Sequence, residues 1–181
     1  MGSSSDSRIM KSAAEILDEF KIKHEDQIVS AHRTPARLEE YAKYAESAGF
    51  KVIIAGAGGA AHLPGMIGSF TNIPVIGVPI LVYNDKTETT SNSKFSSFGG
   101  LDSLLSISEM PSGSPVVSVG INKSANAGIY AMKILANEFP ELKKKLLEYK
   151  HQQYTKVLKE SEEMKKLGLS KFFKKKTRLR A

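Results

Sequence analysis

Short β-branched apolar runs recur along this chain: Ile28-Val29, Val52-Ile53-Ile54, Val75-Ile76-Gly77-Val78 and Pro115-Val116-Val117-Ser118-Val119. Runs that are apolar throughout, rather than alternating, suit strands buried on both faces. Strands that return every ~25 to 40 residues, with helical periodicity between them, build right-handed βαβ units. The expected fold is therefore α/β, a three-layer sandwich around a parallel sheet. Helices are expected from Ser7 to Phe20 with Asp6 or Ser5 as N-cap, and from Pro35 to about Ala48 with Thr34 as cap. Two more are expected, from near His62 to before Asn72 and from Ser124 to Asn137. Pro79 is expected to end the third strand.

A long charged helix is expected from Pro140 to about Leu167, with a thin apolar stripe of Leu142, Leu146, Tyr149, Val157 and Leu158. Such a stripe suits a helix lying across the domain or a neighbouring subunit. The polar run Asn84 to Ser97, between Pro79 and Gly99, has few apolar residues and no periodicity, and is expected to be disordered.

The net charge of +7 suggests nucleic acid until it is located. Eight basic residues and no acid lie from Lys165 onward, which leaves 18 basic against 19 acidic residues in the body. The charge belongs to a tail, expected to be a solvated end. The 181 residues include no cysteine, which excludes disulfides, zinc-thiolate centres and thiol catalysis. No apolar run approaches the roughly 20 residues of a membrane span, and no signal-peptide pattern is present. A cytoplasmic protein without membrane or specific nucleic-acid partners is expected.

Two segments carry the chemistry. Ser30-Ala31-His32-Arg33-Thr34-Pro35 and Ala55-Gly56-Ala57-Gly58-Gly59-Ala60-Ala61-His62-Leu63-Pro64-Gly65 each follow a strand and precede a helix, so both fall at the carboxyl edge of the sheet, where α/β folds bind ligands. His32 can exchange a proton near neutral pH and Arg33 can clamp an anion. His62 either caps and packs at its helix start or faces a ligand. Gly56, Gly58 and Gly59 form a loose anion nest without the dinucleotide-binding spacing. Ser3-Ser4-Ser5-Asp6 before the first helix offers hydroxyls and free N–H groups to a phosphate. Together these signals point to a phosphorylated small molecule handled by acid–base chemistry without a metal.

At these residues the chain closely resembles the class I phosphoribosylaminoimidazole carboxylase family, which includes the N5-carboxyaminoimidazole ribonucleotide mutases. The resemblance runs through Met1 to Asp6, Ser30 to Pro35, Ala55 to Met66, Pro74 to Pro79, Gly100 to Ser106, and Met110-Pro111 with Gly113. It implies a flavodoxin-like parallel sheet with a long C-terminal helix. It also implies a cofactor-free step of de novo purine synthesis, in which carbamate carbon dioxide leaves the exocyclic nitrogen of the ribonucleotide and is re-added at carbon 4 of the imidazole. On this resemblance His32 is the proton shuttle. Ser3, Asp6, Ser30 and Arg33 hold phosphate and ribose, Gly58 and its neighbours line the ring and carbon dioxide pocket, and His62 lies against substrate. Residues 1–138 would be the catalytic domain with a polar insert at 80–99, residues 139–167 the C-terminal helix, and residues 168–181 the basic tail. A homo-octamer is implied, as is an ATP-dependent carboxylase acting as a partner or a fused domain.

Three departures are visible. The family's first strand ends at the Met-Gly-Ser motif, which here starts the chain, so that strand is expected to be missing; with Glu160 to Leu169 this suggests the C-terminal part of a fused fungal- or plant-type enzyme. The insert after Pro79 is longer than an ordinary connection. Glu109 stands where glutamine is usual. Rival readings are direct carboxylation of aminoimidazole ribonucleotide by free carbon dioxide, an inactive flavodoxin-like binding module, and an RNA-binding protein acting through its tail.

Overall fold

The computed structural model describes residues 1–82 and 98–178, with side chains to residue 176; the polar run Asn84 to Ser97 lies outside these residues. The chain divides into two compact units, Met1–Glu138 and Phe139–Ala181.

In the first unit a 3-10 turn, Ser4–Asp6, leads into α1 (Ser7–Glu19), followed by α2 (Pro35–Ser47), β1 (Ile53–Gly58), α3 (His62–Phe70), β2 (Val75–Ile80), α4 (Leu101–Ser108), β3 (Val117–Ser118) and α5 (Ser124–Leu135). The strands form a parallel sheet in the order β1-β2-β3, with Ile53 opposite Val75, Gly58 opposite Ile80 and Ile76 opposite Val117. Side chains alternate across it. Ile53, Ala55, Ala57 and Val75 pack with Leu38 and Ala42 of α2, Leu63 and Ile67 of α3, and Ile107 of α4. Ile54, Ile76, Val78 and Ile80 pack on the other face with Met10 of α1 and with Ala127 and Ala131 of α5. Burial on both faces explains the unbroken apolar runs, and the α/β three-layer, flavodoxin-like architecture stands.

Several expected boundaries are corrected. Ile28-Val29 is extended but forms no strand, and Ile28 is exposed. Its neighbour on the sheet side is the short Met1-Gly2 segment: Val29 N–H donates to Met1 O at 2.8 Å, Met1 N donates to Gln27 O at 2.8 Å, and Gly2 N–H donates to Gly56 O at 3.2 Å. Those few bonds are too short a ladder to make a strand. Pro79 lies inside β2 rather than ending it. It lies beyond the last β2–β3 rung, Gly77–Ser118, and its carbonyl accepts from Asn122 N–H at 2.9 Å. The glycine-alanine stretch begins within β1, since Ala55–Gly58 are strand residues. The N-cap of α1 is Asp6, one of the two residues expected, although its side chain makes no cap bond to α1; Ser3 caps the 3-10 turn ahead of it. The helix α4 was not expected from periodicity. It packs on β2 and β3, and Met110, just beyond it, abuts Gly65 of α3 so closely that a Cβ there would lie 2.6 Å from the Met110 sulfur.

The second unit holds α6 (Pro140–Leu167) and α7 (Leu169–Arg178), which pack together. The basic tail is therefore helical over most of its length rather than a solvated coil. Its lysines pair back onto α6: Lys176 with Glu160 at 2.7 Å, and Lys175 with Glu163. Among the described residues no helix is long and apolar enough to cross a membrane.

Candidate active site

The sheet's carboxyl edge gathers three segments: residues 1–6, 30–34 and 58–63. The turn at 30–34 is pinned by Thr34, whose hydroxyl donates to Ser30 O at 3.0 Å and accepts from Ser30 N–H at 3.0 Å. Thr34 is the N-cap of α2 as expected, but its side chain makes no cap bond to the helix; Pro35 starts the helix with φ already fixed. The pinned turn projects His32 and Arg33, both exposed. Arg33 Nε donates to Ser30 Oγ at 3.1 Å, and an Nη2 hydrogen reaches Gly2 O at 2.9 Å. These bonds engage two of the five guanidinium donors and tie the turn at 30–34 to the first segment.

The first segment is folded by a reciprocal cap. Ser3 N–H donates to Asp6 Oδ2 at 2.9 Å, and the Ser3 hydroxyl accepts from Ser5 N–H at 3.4 Å. Among the described residues Asp6 is the one charged residue that is buried. Burial pushes its carboxyl above the ordinary carboxylate value, opposed by N–H donation from Ser3, the Met1 ammonium, Gly2 N–H and the Arg33 guanidinium.

The third segment carries His62. Its Nδ1 lies 2.6 Å from His32 Nε2, with the rings edge-to-face at 80° and centroids 4.8 Å apart. That contact needs one nitrogen to donate and the other to accept, so a single hydrogen joins two turns thirty residues apart. The resemblance assigned a substrate contact to His62; the geometry adds contact with His32. Gly59 has φ +63° and Ala61, ahead of α3, has φ +44°. A left-handed non-glycine residue costs ~1–3 kcal/mol and persists only where its surroundings hold it. Here two serine hydroxyls of α4 grip the loop: Ser103 Oγ donates to Gly59 O at 3.1 Å, and Ser106 Oγ donates to Ala60 O.

The structure thus brings together Ser3, Asp6, Ser30, Arg33, His32 and His62. Gly58 belongs to the same edge, but a Cβ there would meet Val82 at 2.5 Å and Ile80 O at 3.0 Å, so its bare face is turned to β2. At Gly59 a Cβ would meet nothing within 4 Å, and it is this residue that borders open space. His24 and His151 lie elsewhere: His24 is half-buried with Nε2 3.1 Å from Asp18, and His151 is exposed on α6. Ser103 and Ser106 were not singled out individually within the 100–106 motif, although two hydroxyls at i and i+3 share a helix face and could have suggested a common target. Among the described residues no three His, Asp or Glu side chains gather to hold a metal ion.

Comparison with known proteins agrees with this layout. Residues 1–156 match the AIR carboxylase family. A Thermotoga maritima protein named N5-carboxyaminoimidazole ribonucleotide mutase is 51% identical over 97% of this chain and 95% of its own. The chloroplastic phosphoribosylaminoimidazole carboxylase of Vigna aconitifolia is 45% identical over 96% of this chain and 29% of its own length. The crystal structure of Treponema denticola PurE superposes with a TM-score of 0.74 at 28% identity, covering 93% of this chain and 96% of that one. Sheet, site and sequence agree: the chain is an enzyme of the AIR carboxylase family.

Proposed function

We propose that the chain converts N5-carboxyaminoimidazole ribonucleotide to 4-carboxyaminoimidazole ribonucleotide, with residues 1–138 carrying the chemistry. One observation carries the reading: an exposed histidine, His32, in hydrogen-bond contact with His62, beside an Arg33 already braced from two sides. In this reaction the carbamate C–N bond breaks, its electron pair returns to the exocyclic nitrogen, and that nitrogen takes a proton. Carbon 4 then attacks the released carbon dioxide and loses its own proton. His32 supplies the first proton and recovers the second, ending as it began, with His62 as its hydrogen-bonding neighbour. Arg33, Ser3 and Ser30 hold the phosphate and ribose, and Asp6 braces the Ser3 turn. Carbon dioxide is neutral and offers few handles, so the bare backbone at Gly59 and the small Ala60 hold it by shape and by excluding water.

The names of the Thermotoga maritima relative and of similar curated proteins support the mutase reaction over direct carboxylation. The test is turnover of the N5-carboxylated nucleotide without added bicarbonate. Product formed only when aminoimidazole ribonucleotide and bicarbonate are supplied would overturn the mutase reading in favour of the direct carboxylase. The homo-octamer implied by the resemblance and the cytoplasmic location expected from the sequence go with this proposal; exposed Leu147, Tyr154, Val157 and Leu158 on α6 are residues an assembly would cover.

A further inference from the structure

We infer that Ser103, seconded by Ser106, is a positioning residue that keeps the carbon dioxide pocket shut during turnover, an inference that rests on the mutase reading above. Ser103 is wholly buried, and its Oγ lies 3.1 Å from both Gly59 O and Ile80 O. In the β1–β2 ladder Gly58 and Ile80 form the last rung. Gly59 O lies immediately beyond it, where the ladder offers no further rung. The single Ser103 proton serves this carbonyl and Ile80 O, so the hydroxyl acts as one more rung at the end of the sheet. Ser106 Oγ, three residues along the same helix face, donates to Ala60 O.

The consequence is geometric. Trans peptide units are planar, with C=O and N–H pointing oppositely. Two carbonyls drawn toward α4 therefore turn the Ala60 and Ala61 N–H groups away from α4, and Ala61 N–H closes onto Gly58 O at 3.2 Å. This orientation fixes the left-handed Gly59 and Ala61, and through Ala61 the start of α3 that aims His62 at His32. A freed peptide plane would loosen both the imidazole contact and the wall beside Gly59. An unanchored neutral gas molecule would then escape in the interval between decarboxylation and recarboxylation.

The experiment supplies N5-carboxyaminoimidazole ribonucleotide carrying 13C in its carboxyl group, in unlabelled bicarbonate buffer. It measures kcat, KM and the share of product that keeps the label, for wild type, Ser103→Ala and Ser106→Ala. We expect Ser103→Ala to lower kcat by about 10-fold or more with KM within about 2-fold, the scale of a misplaced reacting group. Label retention should fall clearly below wild type, and Ser106→Ala should move the same way by a smaller factor. A variant that is merely less stable has fewer active molecules but keeps the same label share per turnover. If Ser103→Ala fails to fold, Ser106→Ala decides. Active wild type with label retention unchanged in the folded variants overturns the positioning role alone. Wild type that forms no carboxylated product overturns the mutase reading, and the positioning role with it.

Discussion

His32 Nε2 and His62 Nδ1 stand 2.6 Å apart although thirty residues separate them, because the turn that opens α2 and the turn between β1 and α3 meet at the same edge of the sheet. If His32 is the proton carrier, His32→Asn should leave folding and nucleotide binding near wild type and lower kcat by at least ~10²-fold, the usual scale for a general acid–base group. Steady-state kinetics beside a binding titration check this. A variant with more than a tenth of wild-type kcat would remove His32 from the role.

Arg33→Ala should act differently. Its guanidinium is already held by Ser30 and Gly2 O, a preset anion clamp. Its loss should raise KM for the nucleotide by about 10-fold or more, on the scale of a charge-assisted hydrogen bond. The unphosphorylated nucleoside should suffer far less. Equal losses for both compounds would place Arg33 away from the phosphate.

Asp6 supplies a pH prediction. Burial is the main cause of its raised carboxyl value, so the folded state holds the proton more tightly than the unfolded chain does. Stability that Asp6 contributes is fully present below the ordinary carboxylate value and is lost as pH rises through the raised one. Asp6→Asn keeps an oxygen for Ser3 N–H but never ionises. The melting temperature of the variant relative to wild type should therefore climb between the two values and level off above them. A difference constant with pH would show that Asp6 ionisation carries no such cost.

Two glycines on opposite faces of the sheet should tolerate alanine unequally. A Cβ at Gly77 would collide with Cγ2 of Ile107, a wholly buried, β-branched and therefore stiff side chain. At Gly56 the collision is with the thioether of Met10, which has three rotatable bonds and can move aside. Overpacking costs typically ~1–3 kcal/mol, so Gly77→Ala should fall at or above the top of that range and Gly56→Ala at the bottom. Denaturant midpoints measured side by side would reverse the assignment if Gly56→Ala proved the more costly.

The sheet was legible because double-sided burial writes unbroken apolar runs, and the long helix because Pro140 and Gly168 bracket its pattern. Ile28-Val29 misled, since a local run cannot report how little pairing Met1-Gly2 offers it. Pro79 misled because a proline is harmful in a strand only where its N–H would have been used. Of the site, His32, Arg33 and Ser30 were visible as a motif. Their convergence with His62 was implied only by both turns sharing a sheet edge, and the Ser103 grip on Gly59 crosses 44 residues without a periodic signal. The α7 helix was hidden because a block of lysines reads as a solvated end until Glu160 and Glu163 of α6 are seen to receive them.

Ala61 combines a left-handed backbone with a methyl group buried in the core cluster beside Leu63 and Ile67. Glycine would suit the backbone and leave a gap in the core; a larger side chain would meet both the torsional penalty and the packed wall. The position thus admits almost no drift in sequence. Redesign of this pocket for a different carboxyl donor has to start from the residues around Ala61 and leave Ala61 itself in place.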